Sequence, residues 1–271
     1  MDIKRVTSTL LGFPLVVIIL TFGNKYIVDI CLAVIAMLGM QEYFNAVSKE
    51  SKPVRWVGYL ACLFITLIHI VPEYLPSLKI SNILALGIPT IMLILFSKVI
   101  FSNMKTTFKD IAYTFFGMTY VVGCIAYLAL LRGLDNGRIL IWFAIISAWG
   151  TDTFAYLIGK RFGKHKLCPI SPKKSVEGAI GGTVSAVIIA VLYTVVMNKL
   201  YNLGFSYIYV SIATVILSII GQIGDFAASS IKRYVDVKDY SNLIPGHGGM
   251  LDRIDSLMFL APFAYVIFSI I

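Results

Sequence analysis

The chain has 271 residues, of which 58% are hydrophobic and only 14% charged. A soluble domain carries about 25% charged residues, and no soluble core of this length hides so much apolar surface, so lipid must be the solvent for most of the chain. The net charge of +9 therefore reads as cations that flank membrane spans and meet anionic headgroups, and no nucleic-acid partner is expected.

A helix needs about 20 residues to cross the hydrocarbon. In chain order the apolar runs predict an all-α, polytopic protein with about nine transmembrane helices, at 6–23, 26–46, 56–72, 82–101, 110–131, 139–158, 178–197, 206–227 and 254–271. Residues 1–135 hold the first five spans. Residues 136–271 form a C-terminal catalytic region of four spans with two polar loops, 159–177 and 228–253. The alternation of spans puts 18 of the 23 Lys and Arg residues on the side of the N-terminus, leaving Lys25, Lys79, Arg132, Arg138 and Lys199 on the other. The positive-inside bias thus predicts a cytoplasmic N-terminus, an outside C-terminus and both polar loops in the cytoplasm. Cys31, Cys62, Cys124 and Cys168 form no CxxC pair, and neither a disulfide nor a zinc site is expected.

Acids at membrane depth cost roughly 2.5–3.5 kcal/mol each on insertion scales. Asp29, at the outer end of the second span, is expected to reach water. Glu42, one turn from the inner end of that span, either snorkels or pairs with a lysine as a structural group, or lies near the site. Asp152 sits about six residues, or roughly 9 Å, from the cytoplasmic end of the sixth span and needs a cationic partner. Asp225, Ser229 and Lys232 follow i, i+4, i+7 spacing and share one helical face.

Beyond that face lies Pro245-Gly246-His247-Gly248-Gly249, whose glycines let the backbone approach a ligand and whose N–H groups could hold phosphate oxygens. Asp252 and Asp255 follow at i, i+3. On a helix starting there, both carboxylates face a hard divalent cation with oxygen ligands. The loop from Gly159 to Lys164 fails as a P-loop, with three residues between its glycines and His165 after the lysine. Its cations still suit phosphates. Gly178 and Gly182 form a GxxxG pair, expected to pack helices.

The run Ser229-Ser230-Ile231-Lys232-Arg233, then Lys238-Asp239, then Leu243 to Gly249, then Asp252-Arg253-Ile254-Asp255 resembles the pattern of the phosphatidate cytidylyltransferase family. Ser171 to Gly178 is similar to a second family stretch, in which Thr-Trp often replaces Ser175-Val176. The resemblance is strong over the C-terminal half and generic over the first five spans. It implies the reaction of CTP with phosphatidic acid to CDP-diacylglycerol and pyrophosphate. It also implies Mg²⁺ with a second, monovalent cation such as K⁺ beside it, and a homodimer in a bacterial-type plasma (inner) membrane with its site on the cytoplasmic face.

The nucleophile is a phosphate already anionic near neutral pH, so the chemistry asks for positioning and charge neutralisation more than for a strong base. Asp225, Asp252 and Asp255 are the expected metal ligands, with Asp152 a further one. Lys232, Arg233, Lys238 and Arg253 are expected to steady the triphosphate and departing pyrophosphate, and His247 to donate to a phosphate oxygen. Lys173 and Lys174 hold either the phosphatidate headgroup or the triphosphate, while Asp239 and Glu177 orient the cations. Ser175, Ser229, Gly248 and Gly249 complete the substrate-binding set. The rival enzyme is a CTP-dependent lipid kinase, which would release CDP. A transporter also fits buried acids, although these acids cluster at one membrane face.

Overall fold

The computed structural model describes residues 3–75, 80–244, 246 and 248–270, with side chains described from residue 12 onward and, in the fifth helix, from residue 85. Among the described residues the fold is all-helical, and two isolated β-bridges replace any strand. Five helical rods are long and apolar enough to cross a membrane: Lys25–Val47, Phe108–Gly133, Gly137–Phe162, Val176–Tyr201 and Tyr207–Tyr234. By contact the chain separates into two compact units, residues 1–133 with 235–253, and residues 134–234 with 254–271.

The first unit contains α1 (Ile3–Phe22), α2 (Lys25–Val47), α3 (Arg55–Leu67), the short α4 (Ile70–Tyr74), α5 (Ile80–Phe101), α6 (Phe108–Gly117) and α7 (Cys124–Gly133). Asn24 caps α2 by accepting from the Ile27 N–H at 2.9 Å, so the helix starts at Lys25, one residue before the expected span. A capping box of Thr107 and Asp110 opens α6, and Asp110 also accepts from the Lys52 N–H at 2.6 Å. Between α6 and α7 the chain makes a π-helical turn, Met118–Gly123. Gly117 leaves room for the Tyr43 ring, whose hydroxyl donates to the Tyr113 carbonyl at 3.1 Å. Those contacts fix the rotation of α2 and with it the direction of Glu42. Asp29 does not reach water as expected: it is fully buried and lies 2.6 Å from His69 Nδ1. A carboxylate there is held by a partner forty residues away, which no local pattern could show.

The second unit contains α8 (Gly137–Ile145), a π-helical turn Ile146–Gly150, α9 (Thr151–Phe162), α10 (Val176–Tyr201), α11 (Tyr207–Tyr234) and most of α12 (Leu251–Phe268). Helix α10 is apolar on the outside. Gly178, Gly182, Ala186, Ala190 and Thr194, spaced by four, are buried, whereas Ile180, Val184, Ile188 and Leu192 point outward. Small residues inside and large ones outside is the pattern of a helix packed in lipid, where close backbone approach rather than burial of large side chains drives association. The GxxxG expectation holds: a Cβ at Gly178 would lie 2.6 Å from the Ala155 carbonyl oxygen of α9.

Candidate active site

In the second unit, residues 163–176 form a clamp. Leu167 donates to the Lys174 carbonyl at 3.0 Å and Val176 to the His165 carbonyl at 2.9 Å. Ser175 then caps α10, accepting from the Gly178 N–H at 3.1 Å. Its hydroxyl keeps its own proton for a further partner. Glu177 accepts from the backbone N–H groups of Lys164 at 3.1 Å and His165 at 3.3 Å and meets His165 Nδ1 at 2.6 Å. It anchors the start of the clamp. The clamp presents Lys173 exposed and Lys174 half-buried, and Lys174 forms an ion pair with Asp225 while its Nζ sits 4.8 Å from the centre of the Phe226 ring.

Asp225 is placed by its neighbour. A Cβ at Gly224 would come 3.0 Å from the Asp255 carbonyl oxygen and crowd Phe259, so glycine lets α12 press on α11 one residue from Asp225. Ser229 Oγ lies 3.5 Å from Asp225 Oδ1, as the i, i+4 spacing predicts. Asp255 is buried, accepts from the Ser256 N–H at 2.8 Å, and feels the charges of Asp225, Asp152 and Lys232. Ser256 is also buried, and its hydroxyl donates to Asp152 Oδ2 at 2.8 Å. Asp152 follows directly on the π-helical turn, beside Thr151, whose hydroxyl donates to Ser218 of α11 at 2.7 Å. A π turn shifts side-chain register within a helix, a device common at functional sites. Three carboxylates and two lysines from α9, α11, α12 and the clamp thus share one neighbourhood. Arg233, on the last turn of α11, is exposed.

Ser256 was not singled out by the sequence, because a serine inside an apolar run reads as packing. Replacing it with alanine should cost about 1 kcal/mol of stability and lower turnover several-fold by loosening Asp152. Thermal unfolding in detergent and initial rates measure the two effects, and unchanged values of both would remove Ser256 from the site.

In the first unit, the segment 235–253 folds around two carboxylates. Asp252 Oδ2 accepts from the Tyr240 N–H at 2.9 Å and the Gly249 N–H at 3.0 Å. This gives Asp252, expected as a metal ligand, a second task as the clasp of the glycine-rich turn. Ile244 donates to the Gly248 carbonyl at 2.9 Å, and Gly246 and Gly248 have φ of 76° and 86°, a region that only glycine enters without strain. Glu42 accepts from Ser241 Oγ at 2.6 Å, the Met250 N–H at 2.9 Å and the Leu251 N–H at 2.8 Å. Lys238, Asp239 and Arg253 are exposed. His247 and Pro245 lie outside the described residues. Helix α12 begins at Leu251, so Asp252 and Asp255 stand one turn apart on it, as expected.

Among the described residues no three His, Cys, Asp or Glu side chains stand as a ready ligand set for a metal ion. In the second unit, Asp225 is turned to Lys174 and Asp152 to Ser256.

An all-helical membrane protein with carboxylates and cations drawn together in its C-terminal helices is the class that fold and site define. A family model described as the cytidylyltransferase family matches residues 3–271, and the chain belongs to that family. It is 39% identical over 181 residues to the phosphatidate cytidylyltransferase of Bacillus subtilis (strain 168), an alignment covering 66% of each chain. It is 33% identical over 230 residues to that of Staphylococcus haemolyticus (strain JCSC1435), covering 84% of each. The phosphatidate cytidylyltransferase of Staphylococcus aureus (strain COL) is 35% identical over 234 residues, covering 84% of this chain and 85% of the relative.

Proposed function

We propose that this chain is a phosphatidate cytidylyltransferase of phospholipid biosynthesis. A phosphate oxygen of phosphatidic acid attacks the α-phosphorus of CTP, the bond from that phosphorus to the bridging oxygen breaks, and pyrophosphate leaves. The observation that carries the proposal is the grouping of Asp152, Asp225 and Asp255 with Lys174 and Lys232 in a chain of this family. The nucleophile needs no strong base, so the chain's task is to hold two polyanions together and neutralise them. Lys174 and Lys232 supply positive charge beside the carboxylates, and Lys173, with Arg233, offers exposed charge to a phosphate. Lys238 and Arg253 do the same in the first unit, next to the glycine-rich turn clasped by Asp252.

The donor type suits Mg²⁺, a hard cation that takes oxygen ligands: Asp225 and Asp152 both act electrostatically on Asp255, although as they stand the three do not form a ready ligand set. Asp152, Asp225 and Asp255 would hold it, and it would supply neutralising charge to the triphosphate. Asp252 serves in this proposal as the turn's anchor. The chain crosses the bilayer about nine times, with the N-terminus and the loops 159–177 and 228–253 in the cytoplasm of a bacterial-type cell, where CTP is available, and works as a homodimer. The charge distribution supports that orientation.

The test is purified protein in detergent–lipid micelles with phosphatidic acid and labelled CTP. Pyrophosphate and CDP-diacylglycerol are expected, with activity lost in EDTA and restored by Mg²⁺. Release of CDP instead would make the chain a lipid kinase, and full activity in EDTA would overturn the metal assignment.

A further inference from the structure

We infer that Glu42, on a helix of the N-terminal half, is a positioning residue for cytidylyl transfer, because its carboxylate sets the glycine-rich turn and the start of α12. The inference rests on the proposed function for its catalytic consequence, and on geometry alone for the anchoring. Glu42 is 4% exposed. Its two oxygens accept from three donors of one distant segment, the Ser241 hydroxyl and the Met250 and Leu251 N–H groups. Two of those donors are amides at the head of α12, from its first residue and the one before it, groups that a helix leaves unsatisfied and that favour an anion. A capping carboxylate normally comes from the residues just before the helix. Here it comes from a residue more than two hundred positions earlier.

The fit is close. A Cβ at Gly249 would lie 2.6 Å from Glu42 Oε2 and 2.8 Å from its Cδ, so glycine at 249 is required for the carboxylate to sit against the turn. Asp252 holds the other side of the same turn through the Gly249 N–H. Gly248 and Gly249 are thus fixed between two carboxylates, one from the motif itself and one from α2. The direction of Glu42 is in turn set by packing on its own helix, through Gly39 against Val121 and Leu251, and through Tyr43 against Gly117. The N-terminal helices therefore act on the reaction by shaping a segment that they do not contain.

The test compares wild type with Glu42→Gln, which keeps the shape but replaces one accepting oxygen with a donor facing donors. The expected result is a loss in kcat of roughly 10- to 100-fold, as for a small misplacement of a binding segment, with the thermal midpoint in detergent little changed. Hydrogen exchange of peptides covering 241–253, measured without substrates, should quicken by about tenfold at Met250 and Leu251. Gly249→Ala, which displaces the carboxylate from the other side, should produce the same pair of changes and serves if Glu42→Gln does not fold. Wild-type kcat together with wild-type exchange in a folded variant would overturn the inference. Absence of pyrophosphate release from wild type would overturn the proposed function instead, and the exchange experiment would then decide the anchoring by itself.

Discussion

Asp225→Asn is expected to lower cytidylyl transfer by about 10²- to 10³-fold while the protein stays monodisperse in detergent. The amide keeps the size of the carboxylate and can still meet Ser229, so packing against α12 at Gly224 is preserved. What disappears is one of the two carboxylates that act on Asp255, and the charge that holds Lys174. Lys174→Met removes the other half of that pair and should also slow the reaction. Because the two groups share one interaction, the double variant should lose less than the product of the single losses. Pyrophosphate release at saturating CTP and phosphatidate measures all three. A kcat near wild type for Asp225→Asn would remove Asp225 from the reacting centre and leave the ion pair a purely structural clasp.

Gly178→Val is expected to destabilise the second unit more than any change at the exposed clamp. The added Cβ would stand 2.6 Å from the Ala155 carbonyl oxygen and 3.0 Å from the Gly159 Cα, both backbone atoms that cannot rotate away. Overpacking of this kind costs about 1–3 kcal/mol or more, which should lower the thermal midpoint by about 5 °C. Activity should fall with it, since α9 carries Asp152 and α10 starts at the clamp that bears Lys174. The control is Ile188→Val, on the outward face of the same helix, which should change neither quantity. A Gly178→Val protein as stable and active as that control would show that α9 and α10 can part without consequence.

Much of this was legible in the residues themselves. The apolar runs of 26–46, 110–131, 139–158 and 178–197 each fall within a helix long enough to cross a membrane, and 206–227 matches another to within one residue, because a span must satisfy its own backbone and so announces itself by composition. The i, i+4 relation of Asp225 to Ser229 and the GxxxG contact followed from helix periodicity alone. The partners of isolated polar groups did not. Asp29 was expected to reach water and is buried against His69, and the backbone N–H groups that Ser175 and Glu177 accept from, of Gly178 and of Lys164, were not foreseen. The π-helical turn before Asp152 left no mark in the pattern, since a single extra residue in an apolar run is not visible as a change of period.

The sequence by itself determined that the chain lives in lipid, that it is helical, and which family its C-terminal motif resembles. Those properties depend on composition and on spacing within one segment. Only the tertiary structure decided what each carboxylate holds: Lys174 on Asp225, Ser256 on Asp152, the glycine-rich turn on Asp252, and the start of α12 on Glu42. A buried carboxylate must find donors wherever the fold brings them, and for Glu42 these lie about two hundred residues along the chain, beyond the reach of any local pattern.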